Sequence, residues 1–443
     1  MIPTTGTPSP KPPSSPELEP AIVAALFALS LAAHAQDSRH VFGYVTALQP
    51  SEGFDLEGMH IRLTAATEFR TSSGTPSKTP ASKPAAYYLG ETLAATGSFD
   101  RAANTLTASQ IVLTPPTRAT VSGTGIIDLI PNAPAEHPGP DRVVRADGFL
   151  LHITAKTKLD FAQPLKSLAD IATNQWIRYS GVQQLDGTVL LDLASVGPNK
   201  VNHTENSMRT RTDYDPAAVP DDAHQSGVSK VFRGVDPSKI PPYHNEDMQA
   251  RVERIGRSLI PAYQRVLPDT DPTKIHFRFQ VVDSSKWRDA VTMPSGVMIV
   301  PRQVVERMQN DDQLATVLAD NIAEAIEKDG LRTNSANTKA SVAGLAGDAA
   351  GAFIPFAGVA TDLAGGGAVA HVHTLELQQS GRISLCYLHD AGYDIAQAPL
   401  AWWLLGSKSP KPIDQVPLPT RAITLYIALG TTWHPIPEPA IQP

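Results

Sequence analysis

One stretch limits the architecture of this chain more than any other: Asp311 to Gly330, DDQLATVLADNIAEAIEKDG. Leu314, Val317, Leu318, Ile322, Ala325 and Ile326 recur at spacings of three and four, which puts them on one stripe of an α-helix. Asp311 and Asp312 stand where a helix start favours a cap and negative charge, and Gly330 stands where a C-cap is expected. Asp320 and Glu324, four apart, project from the same edge of that helix, and Asn321 lies between them, closer to the buried side. A domain must therefore be assembled around a buried helix that carries acidic and amide groups.

The 443 residues are enough for two or three domains. An apolar share of 42% can fill real cores, and 39 prolines with 30 glycines favour loops and β-rich modules over a long helical bundle. A net charge of −7 leaves no basic footprint, which argues against nucleic acid as a partner. Cys386 is the only cysteine, so an intrachain disulfide and a thiolate zinc cluster are both excluded. Such a thiol is expected to be simply buried.

Met1 to Pro20 is rich in Pro, Ser and Thr and reads as disordered. Ala21 to Ala33 is an apolar run of signal-peptide length, too short to span a bilayer comfortably, and Ala33-His34-Ala35 fits cleavage after Ala35. Glu17 and Glu19 precede it where positive charge is expected, so an uncleaved N-terminal anchor stands as the alternative to export to the periplasm or beyond. Residues 1–36 are read as this leader.

From His40 to Val196 the pattern changes to period two, with what reads as a repeat of about 80 residues. Met59, Ile61 and Leu63 alternate in the first copy, as do Leu151 and Ile153 in the second, and Asp186-Gly187 is a hairpin turn signal. Each copy, 37–118 and 119–200, is predicted to close as a small barrel of the OB or a similar type. The copies resemble the short β-barrel repeats found in many bacterial envelope proteins. They contain no cluster of His, Glu or Asp at ligand spacing, which makes them spacers or binding modules. Residues 201–245 have few apolar positions and no period, and read as a linker.

Helical spacing returns at Met248, Val252, Ile255 and Leu259; Ile275, Phe277, Phe279 and Val281 then alternate as a strand, and Pro294-Ser295-Gly296 marks a turn between two more strands. In this order, residues 246–434 resemble the HtpX-like gluzincin metallopeptidases, peptidase family M forty-eight. The matching segments are Asp289–Gly296 for the family's hairpin, Leu314–Glu324 for its active-site helix, Gln379–Leu385 for the later ligand helix, and Ala391-Gly392-Tyr393-Asp394 after it. The resemblance implies a mainly helical metallopeptidase-like domain, with a tail at 435–443, and makes the whole chain an α+β multidomain protein.

The departures fall on the chemistry. By the resemblance, the two zinc histidines correspond to Asp320 and Glu324, the general-base glutamate to Asn321, and the third ligand to Gln379. Zinc hydrolysis needs three ligands, an open position and a base, and an amide at 321 has no useful basicity. An all-oxygen set suits calcium or magnesium better than zinc. The expectation is therefore no confident metal or catalytic residue and no cofactor, with zinc only if an active peptidase with unusual ligands is the truth. His371 and His373, two apart, and His389 are read as surface or capping residues. There is no Gly-x-Ser-x-Gly elbow. Ser341–Ala370 is rich in Ala and Gly but is broken by Asp348, Pro355 and Asp362; it is read as a covering hairpin, with membrane-surface contact as the alternative. The favoured expectation is an exported pseudopeptidase that binds an envelope peptide or protein along a strand edge at Val297, Met298, Ile299 and Val300. Its rivals are an active metallopeptidase and a structural envelope module that acts through the β repeats.

Overall fold

The computed structural model describes residues 37–49, 53–71, 87–114, 118–131, 141–223, 236–283, 289–329, 367–406 and 418–433. The leader, most of the Pro, Ser and Ala-rich stretches 71–84 and 131–140, which the sequence marks as insertions in the β modules, and nearly all of 341–370 lie outside them. The chain is of mixed α+β class, with barrel-like sheets first and most of the helices after them.

Strands β1 (Asp37–Gln49), β2 (Gly53–Leu56), β3 (Met59–Arg62), β4 (Glu68–Thr71), β5 (Thr92–Asp100) and β6 (Thr105–Leu113) form one sheet in the order β3-β2-β1-β5-β6-β4. A further β3–β6 pairing curls the sheet round, with β4 left on the outer side of β6. Strands β7 (Thr120–Ile126), β8 (Arg142–Ala146), β9 (Phe149–Ile153), β10 (Lys158–Phe161), β11 (Gln175–Gln183) and β12 (Val189–Pro198) form a second sheet, β7-β11-β12-β9-β8 with β10 on β12. It keeps the pairings of the first except that β7 and β8, the counterparts of β1 and β2, are not paired as strands. The bridge between Leu129 and Arg145 draws the segment after β7 against β8.

The repetition extends to single hydrogen bonds. Thr67 accepts from the Thr64 amide at 2.9 Å and donates to the Ala108 carbonyl at 2.7 Å. Thr157 accepts from Thr154 at 2.9 Å and donates to Leu191 at 2.9 Å. Both second hairpins turn on two residues of positive φ, Glu57-Gly58 (49° and 84°) and Asp147-Gly148 (55° and 73°), the geometry that matches the twist of the flanking strands. Alternating residues such as Phe54, Ile61, Leu106 and Ile111 fill one module, and Val144, Leu151, Ile177 and Val196 fill the other.

The body that follows is built on α2 (Glu246–Leu259), α3 (Ala262–Val266), α4 (Arg302–Arg307), α5 (Asp311–Ile326), α6 (Gly367–Asp390), α7 (Ala398–Gly406) and α8 (Thr420–Thr431), preceded by α1 (His203–Thr212). Its small sheet runs β13-β15-β14, from β13 (Arg278–Val282), β14 (Val291–Thr292) and β15 (Val297–Pro301). Helix α5 packs against α2, α6, α7 and β14 and is buried on nearly every face. Ala315, Ala319 and Ala323 leave room for that close approach. Its cap is Asn310, whose side chain accepts from Gln313 at 2.9 Å, and Asp311 and Asp312 fill the first turn, one position later than a cap. The helix ends at Ile326, before Glu327.

The segment read as a linker is docked on the body. Asn202 caps α1, Ser295 donates to the Thr212 carbonyl at 2.8 Å, and the buried Glu205 carboxylate binds Lys328 at 2.8 Å. Polar contacts with residues far along the chain hold it, together with Ile240 and Tyr214, which pack on the apolar cluster of Val282, Val291 and Ile299.

Helix α8 touches both β modules. The Tyr426 hydroxyl donates to the Thr46 carbonyl at 3.1 Å, and Gln183 reaches the Thr431 carbonyl at 3.2 Å. Gly90, at φ 83°, lies so close to α8 that a Cβ there would stand 2.0 Å from the Tyr426 carbonyl oxygen. Ile126 and Trp176 of the second module belong to the core of the helical body.

Candidate functional site

Helix α5 carries Asp320, Asn321 and Glu324 as the sequence implies, but a residue from α8 meets them. Arg421 lies in the first turn of α8, with one guanidinium nitrogen, Nη1, 2.9 Å from Asp289 Oδ2. The other, Nη2, lies 3.0 Å from Glu324 Oε1 and 3.4 Å from Asp320 Oδ2. The guanidinium carbon sits 4.1 Å from the ring centre of Trp402 on α7, a cation–π geometry. Three carboxylates and an aromatic face thus surround one cation.

The electrostatics follow from burial. Desolvation pushes the Asp320 carboxyl above the usual carboxylate range, while Arg421 and a Ser380 hydrogen bond pull the other way. Burial alone would favour neutral Arg421, but Asp320, Asp289 and Glu324 outweigh it and hold the guanidinium charged. Asp289 Oδ1 and Asp320 Oδ2 are buried without a hydrogen-bond partner among the described residues, Asp320 Oδ2 being held by charge alone at its longer distance.

Asn321 is fixed by its neighbours. Its amide donates to the Val317 carbonyl at 2.9 Å and accepts from the Thr292 hydroxyl at 3.2 Å, so it ties α5 to β14. Gln379 is engaged elsewhere: its amide donates to the Thr124 carbonyl of β7 at 2.8 Å and to Glu327 Oε2 at 3.2 Å. The α6 residue that reaches Asp320 is the next one, Ser380.

These residues do not fit zinc. The two carboxylates of α5 already share a guanidinium, and a fixed positive charge repels a second cation. Gln379 faces the second β module, and the amide of Asn321 offers no base.

The strand edge expected at Val297, Met298, Ile299 and Val300 is not an edge. All four residues are fully buried, and β15 is the middle strand, with β13 parallel on one side and β14 antiparallel on the other. The hairpin was visible as a local turn signal, whereas the parallel partner Arg278–Val282 is set by tertiary packing.

A second set of buried charges joins the β modules to the body. Arg145 forks onto Asp128 at 2.9 and 3.0 Å and onto Asp390 at 3.0 and 2.6 Å. Arg382 of α6 pairs with Asp147, which also accepts from the Tyr179 hydroxyl at 2.7 Å. Glu327 accepts from the Ile126 amide at 3.0 Å. Lys328, at φ 60°, binds Glu205 and Asn199, each at 2.8 Å.

Asp289 opens the segment matched to the family's hairpin but is given no role by it, and none of Trp402, Arg421, Glu327 or Lys328 is singled out by motif or period. The one available signal is that Arg421 is the only charged residue between Thr420 and Thr431. His389 is exposed and tilts against Trp433, with ring centres 5.0 Å apart. His371 and His373 lie in the first turns of α6, which begins at Gly367. Cys386 is buried as expected, and burial pushes its thiol up to about 12, so it is no nucleophile. Among the described residues no helix is long and apolar enough to cross a membrane. Compared with known proteins, the chain matches no family model and no curated protein.

Proposed function

We propose that this is an exported, non-catalytic scaffold protein, in which a metallopeptidase-like body holds two β modules in place for binding a peptide or protein of the cell envelope. The single observation that carries this reading is the guanidinium of Arg421 between Asp320 and Glu324, the residues that the resemblance places at the zinc ligands. A water molecule can be activated by a metal there only if the arginine leaves, and Asn321 provides no base for it.

The surfaces left for partners belong mainly to the β modules. Phe42 and Leu48 of β1 are exposed, and so are Leu150, Leu190 and Leu193 of the second module. This favours the modules over the buried β15 as the binding elements, and the buried ion pairs Arg145–Asp128 and Arg382–Asp147 suit a rigid platform. The direct test is incubation of the purified protein with casein and a peptide library, with and without chelator. No cleavage is expected; chelator-sensitive cleavage that disappears in Asp320→Ala would sink the reading.

A further inference from the structure

We propose that Asp289, Asp320, Glu324 and Trp402 form a guanidinium-selective cation site that Arg421 fills in cis, so that the ligand class the site takes is an arginine side chain or an alkylguanidinium. Each wall matches a property of that ion. Asp289 and Glu324 take different terminal nitrogens, at 2.9 and 3.0 Å, which requires a planar fork with donors pointing in separate directions. Trp402 covers the flat face at 4.1 Å, a contact that a weakly hydrated planar cation makes well. Asp320 supplies a fully buried carboxylate oxygen, aimed at the guanidinium and without a hydrogen-bond partner among the described residues.

A lysine ammonium is a compact point charge and cannot serve two separated carboxylates while lying against an indole face. A hard divalent ion wants about six oxygens at roughly 2.0–2.6 Å and offers no flat face to stack. Three carboxylates around one guanidinium also leave the pocket with surplus negative charge, so a vacated site retains its pull on a cation. Such a cage can exist in an active or an inactive body, so the outcomes below are independent of the scaffold reading.

The test uses the full chain carrying Arg421→Ala, with methylguanidinium as the probe and thermal unfolding as the readout. Millimolar methylguanidinium is expected to raise the Tm of the variant by several degrees and to leave the unsubstituted protein unmoved. Magnesium, calcium and zinc chloride are expected to do neither, and adding Glu324→Leu to the variant, which removes both the charge and the acceptor, should abolish the rescue. A divalent ion that matches methylguanidinium overturns the proposal, as does a probe effect equal in both proteins or absent from both. Should Arg421→Ala fail to fold, Arg421→Lys and Arg421→Gln decide. A guanidinium site predicts that both lose similar amounts of Tm, and a lysine variant close to the unsubstituted protein would overturn it.

Discussion

Arg421 and Glu324 meet at 3.0 Å across a separation of 97 residues, and the contact locks the last helix of the described body onto its central one. Replacing Arg421 with methionine strands Asp320 and Glu324 in a buried site, and breaking a buried pair in this way costs about 3–5 kcal/mol. Glu324→Gln should cost much less, because the Glu324 side chain keeps 26% of its exposure and the amide can still accept from the guanidinium. Urea unfolding midpoints of the two variants check the order.

A pH dependence is built into the first β module beside α8. Burial raises the Glu91 carboxyl from 4.5 to about 7, against a hydrogen bond from the Tyr88 amide that lowers it. The folded state therefore holds a proton that the unfolded chain releases. The stabilisation is complete below the unfolded value and is lost as pH rises through about 7. The ceiling of the effect is about 3 kcal/mol. In Glu91→Gln the fall in Tm between acidic and neutral pH should flatten, as pH-resolved thermal melts would show.

The approach of α8 to the first module depends on Gly90. At φ 83°, with a would-be Cβ 2.0 Å from the Tyr426 carbonyl oxygen, alanine there meets both backbone strain and a clash with main chain that cannot rotate away. Gly90→Ala is expected to cost about 2–3 kcal/mol. Limited proteolysis should then cut between the first module and the body sooner than in the unsubstituted protein. Tyr426→Phe, which removes only the hydroxyl bonded to Thr46, should cost about 1 kcal/mol.

Arg145 holds the second module in the same way. Arg145→Ala leaves Asp128 buried without its cation, and a loss of about 3–5 kcal/mol is expected in denaturant titrations. Asp390→Asn removes the other carboxylate, whose side chain is 44% exposed, and should change stability by less than about 1 kcal/mol.

The β duplication is legible in the chain because its signals are local. Alternation at Met59–Leu63 and Leu151–Ile153, and glycines within the turns, act over a few residues, as do the paired Thr64–Thr67 and Thr154–Thr157 bonds. The core stripe of α5 is legible for the same reason. Residues 201–223 read as linker because their contacts are distant and largely polar, as in Glu205 to Lys328, with isolated apolar residues such as Tyr214 too sparse to show a period.

By itself, then, the sequence determines the alternating strands of the β modules and the central helix, that Asp320 and Glu324 share a helix edge, and that Asn321 cannot act as a base. Tertiary structure decides what faces them. Arg421 reaches Asp289 across 132 residues, and Gln379 turns to Thr124 across 255, to a β strand and away from the cage. It also decides that β15 lies inside its sheet. Periodicity reports which side of an element is buried, and only the packing of distant elements specifies what buries it.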